Sequence, residues 1–466
     1  MKKKYVRWTL WTIASPFILF IILCILIYLP PIQNFLVDKA AVYASEATGM
    51  NISVGRISLS FPLNLVVTNV DAASLHNDTL LSVRRLQVNV QLLPLLKKQV
   101  EVDGISLQGA TVNSNDLIHG MKLNGTLGEL FISSHGVALD PETAIVNKVL
   151  LKDTDLSLCL NDTAAADTAA SDTTYWKIIL QDIDLQNVSF ALDMPLDSLS
   201  LAASLDNATL RDGLIDLHKS AYSLQTFRIK NGRVRYDSGR PSATASADSL
   251  SAGLDPSHIA LTDIGVKLDS LYYEGRNMKA VISQFVLKER SGVEIVSTEG
   301  RLVSNDKVLR VPSLKLETRD SYLELNAAMD WDALDFKKEG LVSARLMADI
   351  GKPDVVRFMG SMDEKFIRKY PSEPLRIRTG IDGDLNKLKL TTLTAELPGA
   401  LELFAKGELT SLTDSLLRGG DITLQAETKD LKFISTLAEG IEIPYGTRLE
   451  GKFTMAGPKM GTEPLM

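Results

Sequence analysis

A mainly β fold, an array of short amphipathic strands stacked as repeats behind an N-terminal transmembrane helix with a few short helices, is what this sequence predicts. Three observations carry it. A strand motif recurs whose alternation changes phase at a fixed step, a longer repeat occupies the C-terminal part, and a basic tail precedes an uncharged apolar run.

The chain opens with "MKKKYVRWTLWTIASPFILFIILCILIYLPP". Lys2, Lys3, Lys4 and Arg7 lead into an uncharged stretch from Trp8 to Pro31, long enough to cross a hydrocarbon layer of about 30 Å. Trp8, Trp11 and Tyr28 stand near its two ends, as interfacial aromatics do, and the basic flank is expected to stay cytoplasmic. A cleaved signal peptide is the competing reading, because Val42-Tyr43-Ala44 offers a small-residue site. That site lies well past the apolar run, and a cleavable apolar core is shorter, so residues 1–31 are expected to be an uncleaved anchor. Residues 32–50, containing "IQNFLVDKAAVYASEATG", read as a short amphipathic helix stopped at Gly49.

Residues 51–297 read as short alternating segments broken by Gly, Asn and Asp. Within them "LVVTNVDA", "ISLQGATV", "VLLKDTDL", "IDLQNVSF" and "FRIKNGRV" start at Leu65, Ile105, Val149, Ile183 and Phe227, spaced by 40, 44, 34 and 44 residues. A weaker copy, "VKLDSLYY", starts at Val266. Each copy runs apolar-x-apolar, then Gln, Lys or Thr, then Gly, Asn or Asp, and strict alternation fails at that last step. Strand side chains point to alternate faces, so one extra residue there would return the later apolar groups to the first face. The step is expected to be a bulge or a tight turn. In "KNGR" the Asn-Gly pair is also a hairpin signal that would pair Ile229 with Val234 and Phe227 with Tyr236. Either geometry puts Leu65 and Val67, Ile105, Leu107 and Val112, Val149, Leu151 and Leu156, Ile183, Leu185 and Phe190, and Phe227, Ile229, Val234 and Tyr236 on one apolar face. Periods of this length mark supersecondary units that share a continuous core. The insert 161–174, "NDTAAADTAASDTT", has no apolar residue larger than Ala and is expected to be a flexible loop. Its Asp-Thr-Ala triplets resemble bacterial O-glycan acceptor sites.

Residues 298–466 form a second array. "SLKLETRDSYLEL" from Ser313 matches "TLTAELPGALEL" from Thr392 at an offset of 79, "PDVVRFMG" recurs loosely as "KDLKFIST", and "IDGDL" at Ile381 as "LEGKF" at Leu449. Each unit is several strands plus a short helix, with Pro353 at the start of one helix. The closing "AGPKMGTEPLM" offers no evident cap, so a fragment of a longer chain is expected.

The totals exclude several functions. With 50 Lys plus Arg against 57 Asp plus Glu and a net charge of −7, no basic stripe lies outside the N-terminus, and nucleic acid is not an expected partner. Apolar residues reach 45% but aromatics only 6%, enough Leu, Ile, Val and Ala to line a long surface. Cys24 and Cys159 form no disulfide framework. The histidines His76, His119, His135, His218 and His258 lie far apart with no ligand spacing, so no metal is expected. "DGDLN" from Asp382 imitates a calcium loop, but Lys387 and Leu393 occupy its Gly and Glu positions. Asp153/Asp155 and Asp182/Asp184 could serve glycoside chemistry, yet a solvated strand face explains them, and no nucleophile or phosphate motif is present. No cofactor and no enzymatic activity are expected.

An array of amphipathic strands must set its apolar face against something: a closed core, or an open trough for apolar ligands. The order of features resembles the AsmA-like family, most closely its TamB-like branch of inner-membrane translocation and assembly components. The resemblance rests on the anchor, the short helix, "LVVTNVDA", the "DTLLSV" hairpin, "VNVQLLPLL" and "VDGISLQGATV", with "TRDSYLEL", "PDVVRFMG" and "IDGDLNKLKL" further on. It implies a long curved, taco-like sheet with a hydrophobic groove. The chain would be anchored once in the bacterial inner membrane, with the N-terminus cytoplasmic and the bulk periplasmic. It also implies phospholipid transfer between inner and outer membranes. The alternative it implies is outer-membrane protein assembly by β-strand templating, with an outer-membrane barrel of the BamA/TamA type as partner. The C-terminal domain through which TamB-like chains meet that partner is not recognisable in this sequence.

Overall fold

In the computed structural model the described residues are 39–464, without 40, 44, 47, 61–63, 75–78, 92–101, 119–120, 139–141, 162–174, 240–252, 335–337, 339, 360–363, 385, 413–417, 437–443 and 457–458. The expected anchor, and all but the first residue of the expected loop 161–174, lie outside them. No helix among the described residues is long and apolar enough to cross a membrane. Those among 39–48 are helical, and the helix stops at Gly49 (φ 70°), whose N–H donates to the Ser45 carbonyl at 2.9 Å. Ser45 Oγ accepts from the Ile52 N–H at 3.0 Å, tying the turn to the first strand.

The fold is mainly β. Contacts divide the chain into two compact units, Met1–Ser204 and Leu205–Met466. The first contains β1 (Asn51–Ser60), β2 (Asn64–Ala73), β3 (Thr79–Val90), β4 (Val102–Ile118), β5 (Met121–Ala138), β6 (Thr143–Leu160) and β7 (Lys177–Met194). Each strand from β1 to β5 pairs antiparallel with the next, and β6 pairs with β7 in parallel.

The phase step of the motif is a left-handed kink. Asn69 (φ 52°), Gly109 (62°), Asp153 (49°) and Asn187 (52°) are the fifth residues of their copies, and Gly, Asn and Asp are the types that enter this region at least cost. The expected extra residue is absent. Val54↔Val70 and Arg56↔Thr68 flank Gly55 and Asn69 with no change of register. Alternation survives because the neighbouring strands change phase at the same place, at Gly55-Arg56 on β1, Arg84-Arg85 on β3 and Gly128-Glu129 on β5. A kink also brings backbones together. A Cβ on Gly55 would stand 3.0 Å from that of Asn69, and one on Gly128 would stand 2.8 Å from that of Asp153. At Gly55 and Gly128 this close approach favours glycine, whereas Arg84 occupies the equivalent place opposite Asn69.

The boundary between the units falls within β8 (Leu199–Asp216). The second unit continues with β9 (Ala221–Leu224), β10 (Thr226–Ser238), β11 (His258–Glu274), β12 (Asn277–Glu289), β13 (Glu294–Ser304), β14 (Val308–Thr318), β15 (Tyr322–Asp330) and β16 (Val342–Ile350). After α1 (Lys352–Phe358) and α2 (Glu364–Lys369) come β17 (Leu375–Gly383), β18 (Lys387–Leu397), β19 (Leu401–Thr410), β20 (Gly419–Thr428), β21 (Arg448–Ala456) and β22 (Lys459–Pro464). From β10 onward each strand pairs antiparallel with the next.

The hairpin signal in "KNGR" does not make a hairpin. Ile229 pairs with Val266 and Val234 with Leu261, with register shifts on both sides of Gly232. Asn231 alone has positive φ (55°), whereas a two-residue turn of the expected type needs two such residues. The two shifts cancel, so no residue is inserted and the step is again a kink, answered on β11 by Asp263 (φ 52°). The weak copy at Val266 is therefore out of place, since the kinked segment begins at Ile259. Asp212 (φ 51°) marks a further copy, "ATLRDGLI" from Ala208.

The 79-residue offset is structural. β14 runs 308–318 and β18 runs 387–397, and 387 − 308 equals 397 − 318. Both carry a one-residue register shift at matching places, between Val311 and Leu314 and between Leu390 and Leu393. "IDGDL" and "LEGKF" do not correspond, because Ile381 lies near the end of β17 and Leu449 near the start of β21. Pro353 sits in the first turn of α1, one residue after its start.

Candidate functional site: the apolar face of the sheet

In the first unit the apolar residues of successive strands stand opposite one another. One row across seven strands is Leu59, Leu65, Val88, Ile105, Ile132, Val149 and Ile183. The next on that face is Ile57, Val67, Leu86, Leu107, Leu130, Leu151 and Leu185. With strands about 4.8 Å apart, each row is about 29 Å long. Beyond the kinks the face resumes with Val54, Val70, Val83, Ala110, Leu127, Thr154 and Val188. Thr154 conceals its polarity by donating its hydroxyl to the Lys152 carbonyl at 3.2 Å. A further row is Ile52, Ala72, Leu81, Val112, Gly125, Leu156 and Phe190.

The opposite face is mostly polar, although one of its rows contains Val66, Phe131 and Leu150. One row reads Arg56, Thr68, Arg85, Gln108, Glu129, Lys152 and Gln186, another Ser53, Asp71, Ser82, Thr111, Thr126, Asp155 and Ser189.

Burial separates an open face from a closed core. A sandwich partner would bury its inward residues, but every residue of the first two rows is only half-buried, and Phe190 and Leu81 are 38% and 37% exposed. Lateral neighbours cover these side chains, and no described second layer seals them.

The sequence-predicted residues Leu65, Val67, Ile105, Leu107, Val149, Leu151, Ile183 and Leu185 thus fall in the first two rows, and Val112, Leu156 and Phe190 in the fourth. Phe227, Ile229, Val234 and Tyr236 lie in the second unit, where they face Leu268, Val266, Leu261 and Ile259. There an eight-strand row runs Leu316, Leu323, Ala348, Ile377, Ala395, Leu403, Ala426 and Leu449, alternating large residues with small from Leu323 onward. Lys2, Lys3, Lys4, Arg7, Trp8, Trp11 and Tyr28 lie outside the described residues.

Sequence reasoning missed β1, β3 and β5 as contributors to the rows. Their signal was present as two adjacent glycine or charged residues inside an alternating strand: Gly55-Arg56, Arg84-Arg85 and Gly128-Glu129.

Asp153 and Asp155 are exposed on the polar face, and Asp153 Oδ1 accepts from Asn187 Nδ2 at 2.9 Å. Asp182 and Asp184 stand opposite Lys148 and Leu150. Among the described residues no group of His, Cys, Asp and Glu could hold a metal. A hollow near the end of the second unit is bordered by Leu403, Phe404 and Leu449, with charged groups already in ion pairs: Glu396 with Arg376 at 3.5 Å and Glu402 with Lys429 at 3.2 Å. No family model matches the chain, and no curated protein matches it significantly.

Proposed function

We propose that this chain is an AsmA-like, TamB-related lipid carrier, anchored in the bacterial inner membrane by residues 1–31 with its bulk in the periplasm. The apolar face of its sheet holds phospholipid acyl chains and conducts them between the inner and outer membranes, toward a barrel of the BamA/TamA type. One observation supports this above the others: two unbroken apolar rows cross seven strands, and none of their residues is sealed under a second layer. Each methylene taken out of water contributes about 0.8 kcal/mol, so a fully covered sixteen-carbon chain gains roughly 10 kcal/mol. Nearly equivalent sites recur at every strand, so a chain exchanges one for the next with little change in energy. Transfer of this kind needs no nucleophile, metal or cofactor.

Photo-crosslinking from Leu151 and Leu185 in the full chain, with mass spectrometry of the adducts, tests this. Phospholipid adducts are expected, and Ile183→Asp should abolish both adducts and lipid transfer while leaving the circular dichroism of the sheet unchanged. Normal transfer by that variant would rule the reading out. A second reading, outer-membrane protein assembly by strand addition, draws on β1, whose only ladder among the described residues runs to β2. Adducts with nascent barrel strands and none with lipid would favour it.

A further inference from the structure

All six ladders of the first unit are interrupted on one line. The missing bridges fall at Gly55/Asn69, Asn69/Arg84, Arg84/Gly109, Gly109/Gly128, Gly128/Asp153 and Asp153/Asn187. A regular sheet resists folding across its strands because the pleat and the ladder bonds would both have to give. Along this line no ladder bridge stands in the way, and four of the seven residues already have φ between 49° and 62°. The line also sends no apolar side chain into the trough. Gly55, Asn69, Arg84, Gly128, Asp153 and Asn187 are exposed on the polar side, while apolar rows begin immediately to left and right on the other. Folding toward the apolar face therefore brings the Leu151 and Leu127 rows together over a bare floor.

We propose that this seam is the keel of the trough and its hinge, with two leaves of sheet swinging about it to set the width offered to a ligand. The hinge holds whatever ligand the trough takes, so it stands or falls separately from the lipid reading.

The test uses the full chain in nanodiscs, with Cys24 and Cys159 replaced by Ser and spin labels placed on the exposed polar face. Thr126 and Lys148 straddle the seam, whereas Ser53 and Asp155 share one row of a single leaf. The cross-seam distance distribution is expected to be about twofold wider than the in-leaf one, as the αL-capable residues on the line allow. Asn69→Gly with Asn187→Gly, which keeps the kink accessible, should widen it further. Asn69→Val with Asn187→Val should narrow it, with the in-leaf distance unmoved throughout. A cross-seam distribution as narrow as the in-leaf one, or equal broadening of both, overturns the hinge. A working hinge in a chain that captures no lipid would leave it intact and remove only the ligand.

Discussion

Two successive repeats of the second unit close the same joint by opposite chemistry. In the first, Asp354 of α1 turns back onto the β14–β15 hairpin, accepts from the hydroxyls of Thr318 and of Ser321 (2.6 Å), and meets Arg357 at 3.0 Å. Arg357 also reaches Asp320 at 2.7 Å, and Asp354 is 1% exposed. In the second, the positions 79 residues on are Leu397 and Ala400, which pack with Leu431 and Phe433. Phe366 and Tyr370, from α2 and the residue following it, complete the cluster, with ring centroids 5.1 to 5.8 Å apart. Asp430, which matches Asp354 in sequence, is exposed, and its neighbour Leu431 turns in instead. The joint thus requires filled volume and satisfied polar groups rather than one residue type. A buried carboxylate meets that only if every partner is present, while an apolar cluster tolerates the loss of any one hydrogen bond.

The largest effect should come from Phe366→Ala. Phe366 is 2% exposed, and removing a buried ring of this kind costs about 3–5 kcal/mol. Hydrogen exchange of the β18 and β19 amides should accelerate accordingly, with those of β14 and β15 unaffected. Asp354→Ala should cost about 2–4 kcal/mol at the other joint, because two hydroxyls lose their acceptor and Arg357 loses one of two partners. The comparison sharpens if the polar joint is rebuilt in the image of the apolar one. Thr318→Leu with Ser321→Ala and Asp354→Leu should recover at least half of that loss in the same measurement, and no recovery would show that the two joints differ in shape as well as chemistry.

A smaller effect concerns pH. Burial pushes the Tyr370 hydroxyl above its ordinary value of 10.0. The raised folded-state value means this contribution is fully present below about pH 10 and is lost as pH climbs through the folded-state value, since only the unfolded chain ionises first. Denaturation from pH 9 to 11 should show a fall in stability that Tyr370→Phe flattens. The smallest effect is expected at Arg368, whose 2.6 Å pair with Glu364 is fully solvated. Arg368→Ala should move the denaturation midpoint within error, as exposed pairs contribute about 0–1 kcal/mol.

Much of this was legible in the chain. The positions of the kinks in β2, β4, β6, β7 and β10 followed from where alternation failed, while their form, a left-handed residue in place of an inserted one, came from the structure. The 79-residue period also followed from sequence, and the structure carries it into the bounds of β14 and β18. Other features were not legible, for physical reasons that can be named. Arg84-Arg85 kinks nothing by itself and looks like a solvated pair until Asn69 and Gly109 stand on either side of it. The Asn-Gly of "KNGR" satisfies a hairpin and a kink within one strand equally in local terms, and the pairing of Ile229 with Val266 on β11 decides between them. The parallel partnership of β6 and β7 has no local signature, because a parallel ladder is set by where the returning chain docks.

Residue order alone determined that amphipathic strands would form and, in β2, β4, β6, β7 and β10, at which residue the phase changes, since these depend on side-chain type and on a few neighbouring dihedrals. The alignment of those steps into one line, and of the apolar groups into rows across seven strands, was decided only in the folded sheet. Register joins residues tens of positions apart through backbone bonds that carry no sequence label, so it belongs to the assembled ladder and not to any one strand.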